Sequence, residues 1–127
     1  MIRKISDIIE QKMKKWEPIF SFEVFPPRTP RGIESLFGVI EGLAGLGPDY
    51  VSVTYGAGGS TSKSTLDIVR KIQDGFGIPC MHHFTLVNQS VDELTRQIEL
   101  MMDAGVKNVL ALRGDPPKEM GGTFKKI

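Results

Sequence analysis

A single cysteine, Cys80, excludes an internal disulfide and a thiolate-rich metal cage. Excess charge of one sign is also missing. The 16 Lys and Arg residues against 15 Asp and Glu leave a formal charge of +1, too little for the positive field that a nucleic acid partner demands. Long apolar runs are absent too. The opening stretch from Met1 to Trp16 carries Asp7, Glu10 and several lysines, so it is too polar for a signal-peptide core and too short to span a bilayer. No membrane and no nucleic acid partner is expected, and a reducing cytoplasm suits the lone thiol. Within 127 residues, 40% hydrophobic and 24% charged content is ordinary for a globular chain, and 1–127 reads as a single domain.

Four apolar, β-branched or aromatic runs recur as expected buried strands: Ile19–Phe25, Tyr50–Thr54, Cys80–Phe84 and Asn108–Leu112. Helical spacing lies between them. Ile33, Leu36, Phe37, Ile40 and Leu43 form one stripe, and Leu66, Val69 and Ile72 a second. The third, with Val91, Leu94, Ile98 and Met101, has the clearest limits: Ser90 and Glu93 form a capping-box pattern, and Gly105 suits the stop. An opening amphipathic segment with Ile5, Ile8, Ile9 and Met13 is expected as an extra helix over one end of the fold. Its Lys12, Met13, Lys14, Lys15 cluster reads as a solvated face. Strand starts roughly thirty residues apart match a strand plus a helical crossover, which implies a parallel sheet, either a barrel or an open doubly wound form.

Each strand end delivers a chemically useful group. Glu23 stands among apolar residues just before Pro26 and Pro27, where partial desolvation would suit a general acid; a structural ion pair with Arg28 or Arg113 is the competing reading. Thr54 ends the second strand. The Gly56–Thr61 segment after it could offer backbone N–H groups to a ligand or be a plain turn, because it lacks a P-loop lysine and the dinucleotide-binding glycine spacing. His82 and His83 are adjacent, so only one of them can face a barrel interior. Cys80, His82 and His83 would make a poor zinc set for the same reason, and no metal is expected. Arg113, Gly114 and Asp115 precede Pro116 and Pro117, forming either a binding turn or an Arg–Asp staple. In parallel β/α folds the loops after the C-terminal strand ends are where sites are built.

Phe22-Glu23-Val24-Phe25-Pro26-Pro27-Arg28, Val53-Thr54-Tyr55-Gly56-Ala57, His83-Phe84-Thr85 and Ala111-Leu112-Arg113-Gly114-Asp115-Pro116, in this order and at these separations, resemble the strand-end motifs of the methylenetetrahydrofolate reductase family. The likeness runs from Trp16 to Pro117. It implies an α/β fold of TIM type, a parallel (β/α)₈ barrel. It further implies a flavoprotein oxidoreductase that uses FAD and NADH or NADPH to reduce 5,10-methylenetetrahydrofolate to 5-methyltetrahydrofolate, a one-carbon step that supplies methionine synthesis.

By that resemblance Glu23 matches the general acid, and Asp115 an acidic residue beside flavin and folate. Thr54, Tyr55 and Ala57 match contacts to the flavin and nicotinamide, and His83, Arg113 and Gly114 match further FAD contacts. A complete barrel needs about 250 residues, so this chain supplies about four of the eight units. Later family residues that hold the rest of FAD have no counterpart, and the tail Lys118–Ile127 stops where the next helix is due. A homo-oligomer or a partner is therefore expected to supply the missing half, and the chain alone is expected to be inactive. Two other classes compete: a non-catalytic half-barrel interaction module and a metal-dependent barrel enzyme.

Overall fold

In a computed structural model, residues 2–56 and 62–114 are described. Their order is α1 (Ile5–Lys14), β1 (Ser21–Val24), α2 (Pro30–Ala44), β2 (Tyr50–Val53), α3 (Ser62–Phe76), β3 (Cys80–Thr85), α4 (Val91–Asp103) and β4 (Val109–Leu112). The strands form one parallel sheet in the order β1-β2-β3-β4. A doubly wound sheet reverses direction at a switch point, whereas a barrel adds each new strand beside the last. The strictly sequential order resolves the two sequence-based alternatives: an N-terminal helix and four alternating units make a partial TIM barrel.

Local chemistry sets the element limits. Thr29 caps α2 by accepting a hydrogen bond from the Gly32 N–H at 3.0 Å, with Pro30 pre-shaped for the first helical turn. The expected capping box of α4 is present in both directions: Glu93 N–H donates to the Ser90 hydroxyl at 3.2 Å, and Ser90 N–H donates to the Glu93 carboxylate at 2.7 Å. Gly105 follows in the left-handed region at φ +78. The first strand is shorter than its apolar run because the pairing with β2 begins at Ser21 and ends at Val24, two residues before Pro26. Thr85 instead extends β3, paired with Leu112.

In-register parallel partners place their side chains on the same side of the sheet. Val24, Val51, Val53 and Cys80 face the helices and pack with Ile40, Ile68, Val69 and Ile72 in the main core. A smaller cluster joins Phe84, Leu94 and Met101. Burying each such side chain contributes about 1.5–3 kcal/mol, which holds α2, α3 and α4 on one face of the sheet. The other face carries Glu23, Ser52 and Met81 in one row and His83 with Leu110 further along.

α1 closes the N-terminal ends of the strands. Asn108, directly before β4, accepts from the Ile5 N–H at 2.7 Å and donates to the Arg3 carbonyl at 3.1 Å. Asp49, directly before β2, pairs with Lys12 at 2.8 Å and accepts from the Phe20 N–H at 2.9 Å. Lys12 therefore departs from the solvated-face reading, while Lys14 keeps it in an exposed pair with Glu10.

The Lys12 hydrogen bond holds the Asp49 carboxyl below its ordinary value of 3.8, with the Phe20 N–H adding to the effect against the opposing cost of burial. A depressed acid stabilises the fold above its unfolded pKa, and that contribution is lost as pH falls through the folded value. Asp49→Asn is expected to cost roughly 1–3 kcal/mol at pH 7. The gap from the parent should close below about pH 4 in urea titrations run across pH. A gap that stays constant down to acid pH would detach Asp49 from this role.

Candidate functional site

Glu23 and His83 come together across the open face of the sheet. They sit on β1 and β3, with β2 between them, and the small Ser52 side chain at the intervening position leaves room for the approach. His83 Nε2 lies 3.8 Å from Glu23 Oε1, with side-chain exposures of 12% and 52% respectively. Partial desolvation was the sequence-based reason for viewing Glu23 as an acid, and in this chain that condition is not met. Its carboxylate is half-exposed because the face it stands on is open to solvent. Among the described residues the side chain it approaches is His83, not the Arg28 or Arg113 that the sequence suggested.

The two histidines separate as the strand period requires. His83 faces the Glu23 side, whereas His82 points into the helix layer, pairs in register with Val53 and is 1% exposed. Burial lowers its pKa and keeps it neutral, against the opposing pull of backbone hydrogen bonds. Its Nδ1 has a partner, the His83 carbonyl at 2.7 Å, whereas Nε2 has none among the described residues. Cys80 shares the helix-facing side, and burial pushes its thiol up to about 12. Among the described residues no three His, Cys, Asp or Glu side chains converge as a metal site.

Thr54 is fixed through its backbone: its N–H donates to the Val24 carbonyl at 3.0 Å, and its carbonyl accepts from the buried Thr65 hydroxyl at 2.9 Å. Tyr55 turns its ring to the helix side, edge-on to Phe84 with centroids 5.8 Å apart, and its hydroxyl donates to Gln97 at 2.8 Å. Any contact from Tyr55 to the open face must therefore come from its main chain. Arg113 is exposed just past β4. Ala57 and Asp115 lie outside the described residues.

Gly114 has a steric reason to be glycine. Its φ is +82, and an added Cβ would stand 2.9 Å from Thr85 Cβ and 3.0 Å from Val87 Cγ1. The turn after β4 can thus lie directly on the end of β3. Gly114→Ala is expected to cost roughly 2–4 kcal/mol from left-handed strain plus overlap. Gly105→Ala has a similar φ of +78 but meets nothing within 4 Å, so it should cost only about 1 kcal/mol. Urea midpoints of the two variants check this, and equal losses would remove the overlap argument.

Reading the sequence alone missed Ser52, whose role emerges only from strand register, and Thr85, whose buried hydroxyl oxygen at the end of β3 has no partner among the described residues. Alternation along β3 from His83 puts Thr85 on the same face, so a polar atom without a partner accompanies the carboxylate and imidazole.

Fold and strand-end groups first define a class: part of a TIM-type β/α barrel whose polar residues gather where barrel enzymes build their sites. Residues 8–126 match the family model of methylenetetrahydrofolate reductase. "Methylenetetrahydrofolate reductase (NADH) 1" of Arabidopsis thaliana is 40% identical over 114 residues, covering 90% of this chain and 19% of the relative. The protein of the same name from Zea mays is 43% identical over 98 residues, 77% of this chain and 16% of its own length. "5,10-methylenetetrahydrofolate reductase" of Escherichia coli is 38% identical over 101 residues, 80% of this chain and 34% of the relative. The chain belongs to the methylenetetrahydrofolate reductase family, and it spans about a third or less of the length of these relatives.

Proposed function

We propose that this chain forms the first half of the catalytic barrel of a flavin-dependent oxidoreductase, one that reduces 5,10-methylenetetrahydrofolate to 5-methyltetrahydrofolate with NADH or NADPH. The observation that carries this reading is the approach of Glu23 to His83 on the open face at the strand ends, in a chain of this family. The residues there fit a flavin. Met81, Leu110 and Leu112 offer an apolar floor for a flat ring, while the His83 imidazole and the partnerless Thr85 hydroxyl offer groups to its polar edge. FAD, when bound, supplies the two-electron relay between nicotinamide and folate, which no side chain can provide.

The chain's own residues do the rest. Glu23 holds a proton at its carboxyl oxygen and delivers it to the folate ring nitrogen whose bond to the one-carbon unit must open, leaving the electrophilic iminium. His83 sets the position of that carboxyl. Thr54 and Tyr55 would offer main-chain groups to flavin and nicotinamide, Ala57 would serve in the same motif, and Gly114 lets the Arg113 turn lie against the end of β3, from where it could reach the flavin. Asp115 places a negative charge that favours the cationic iminium. No helix among the described residues is long and apolar enough to cross a membrane. A reducing cytoplasmic setting suits the buried free thiol of Cys80.

The direct test adds FAD to this chain completed by the second half of a relative's barrel, then desalts it and scans for bound flavin. Retained flavin that bleaches with NAD(P)H and recovers with methylenetetrahydrofolate is the expected result. Protein that holds no flavin in the completed barrel would overturn the reading.

A further inference from the structure

We propose that the cleft between α3 and α4, on the opposite side of the sheet from Glu23, binds a small aromatic hydroxy acid: a hydrogen-bond donor at the inner end, an apolar ring and a carboxylate at the outer end. The cleft has a volume of about 350 Å³, at the small end of ligand pockets and enough for one substituted ring. Both of its walls belong to this chain, so it does not depend on further β/α units.

His82 defines the inner end. Its Nδ1 lies 2.7 Å from the His83 carbonyl, which can only accept, so Nδ1 carries the proton and Nε2 presents a lone pair. That Nε2 is buried with no partner among the described residues. Because burial keeps the ring neutral, the atom needs a donor. The polar groups around it give their protons elsewhere. Tyr55 donates to Gln97, Gln97 donates to Gln89, and Gln89 donates to the Thr85 carbonyl at 3.1 Å. The series runs in one direction, away from His82, and leaves the place beside Nε2 to a donor carried by a guest.

Leu66, Leu100 and Met101 supply apolar surface between the two ends. Lys63 and Arg70 stand at the rim with Asp67, one turn apart on the same side of α3, and leave one net positive charge where the outer end of a guest would emerge. A neutral phenol would leave that charge unanswered, and an aliphatic acid would leave Nε2 without a donor. A hydroxybenzoate-like acid answers both.

Equilibrium dialysis of the 127-residue chain tests this and does not depend on its oligomeric state. The probe is 4-hydroxybenzoate, compared with 4-methoxybenzoate, which keeps the ring and carboxylate but lacks the donor. Saturable uptake of the hydroxy acid, at least tenfold weaker for the methoxy acid, is the expected result. His82→Phe keeps an aromatic ring and removes the acceptor, and it should bring both acids to the weaker level. Should that variant fail to fold by circular dichroism, Leu100→Trp at the exposed rim fills the cleft and should abolish uptake. No saturable binding at millimolar concentration, equal binding of the two acids, or full binding by a folded His82→Phe or Leu100→Trp variant would overturn the proposal.

Discussion

Glu23→Gln, introduced into a barrel completed by the second half of a relative, is expected to slow reduction of methylenetetrahydrofolate by about 10²–10⁴-fold and to leave flavin reduction by NAD(P)H nearly unchanged. The asymmetry follows from the chemistry. Hydride arriving from a nicotinamide needs orientation, whereas the folate ring must gain a proton at nitrogen before its one-carbon unit becomes electrophilic. Glutamine preserves the shape of the side chain and its place 3.8 Å from His83 but has no acidic proton to give. The carboxylate is half-exposed in this chain; closing the barrel over it would supply the desolvation that a proton donor near neutral pH needs. Stopped-flow traces of the two half-reactions separate the steps. Equal slowing of both would remove Glu23 from the acid role and leave it a structural partner of His83.

Most of the architecture was legible in the sequence because each element carries a local cause. The Ser90–Glu93 box and the four β-branched runs act within a few residues of themselves. Spacing alone left barrel and open sheet undecided, since it fixes the crossover but not the order in which strands line up; the family resemblance pointed to the barrel, and the pairing of β1 with β2, β2 with β3 and β3 with β4 agrees with it. The same limit applies to the site. Alternation along β3 revealed that His82 and His83 diverge, but nothing local revealed which of them meets Glu23, because that depends on the register of Glu23 with Ser52 and of Ser52 with Met81. Motif identity also does not say which way the Tyr55 side chain turns. It belongs to a strand-end motif, yet its ring sits among Phe84, His82 and Gln97 on the helix side. Lys12 shows the corresponding error for charge: a run of lysines reads as solvated until the fold brings Asp49 to one of them.

The chain on its own is expected to self-associate and to show no reductase turnover. Among the described residues β1 and β4 each have one unpaired edge, and such edges invite pairing with another chain. Apolar surface accompanies the β4 edge: Val109, Leu110 and Leu112 are all exposed, two of them on the Glu23 side and one toward the helices. On α4, Val91, Ile98 and Met102 recur at helical spacing on the flank opposite the one that Leu100 turns to α3, and they are exposed too. An apolar strand edge beside an apolar helix flank is the surface that a following β/α unit covers in a barrel, and without such a unit a second copy can serve. Two copies related by symmetry would bring two Glu23 residues to one interior but no distinct second set of flavin contacts, so closure by self-association does not restore the reaction. Light scattering on a size-exclusion column should therefore report a dimer or larger. Leu110→Lys with Leu112→Glu, which puts opposite charges on the exposed face of β4, should shift the population toward monomer. An NAD(P)H–menadione assay with added FAD should stay at background for both forms. If the parent chain elutes as a monomer, retains FAD and turns over, the edges are not adhesive and half the barrel is sufficient for the chemistry.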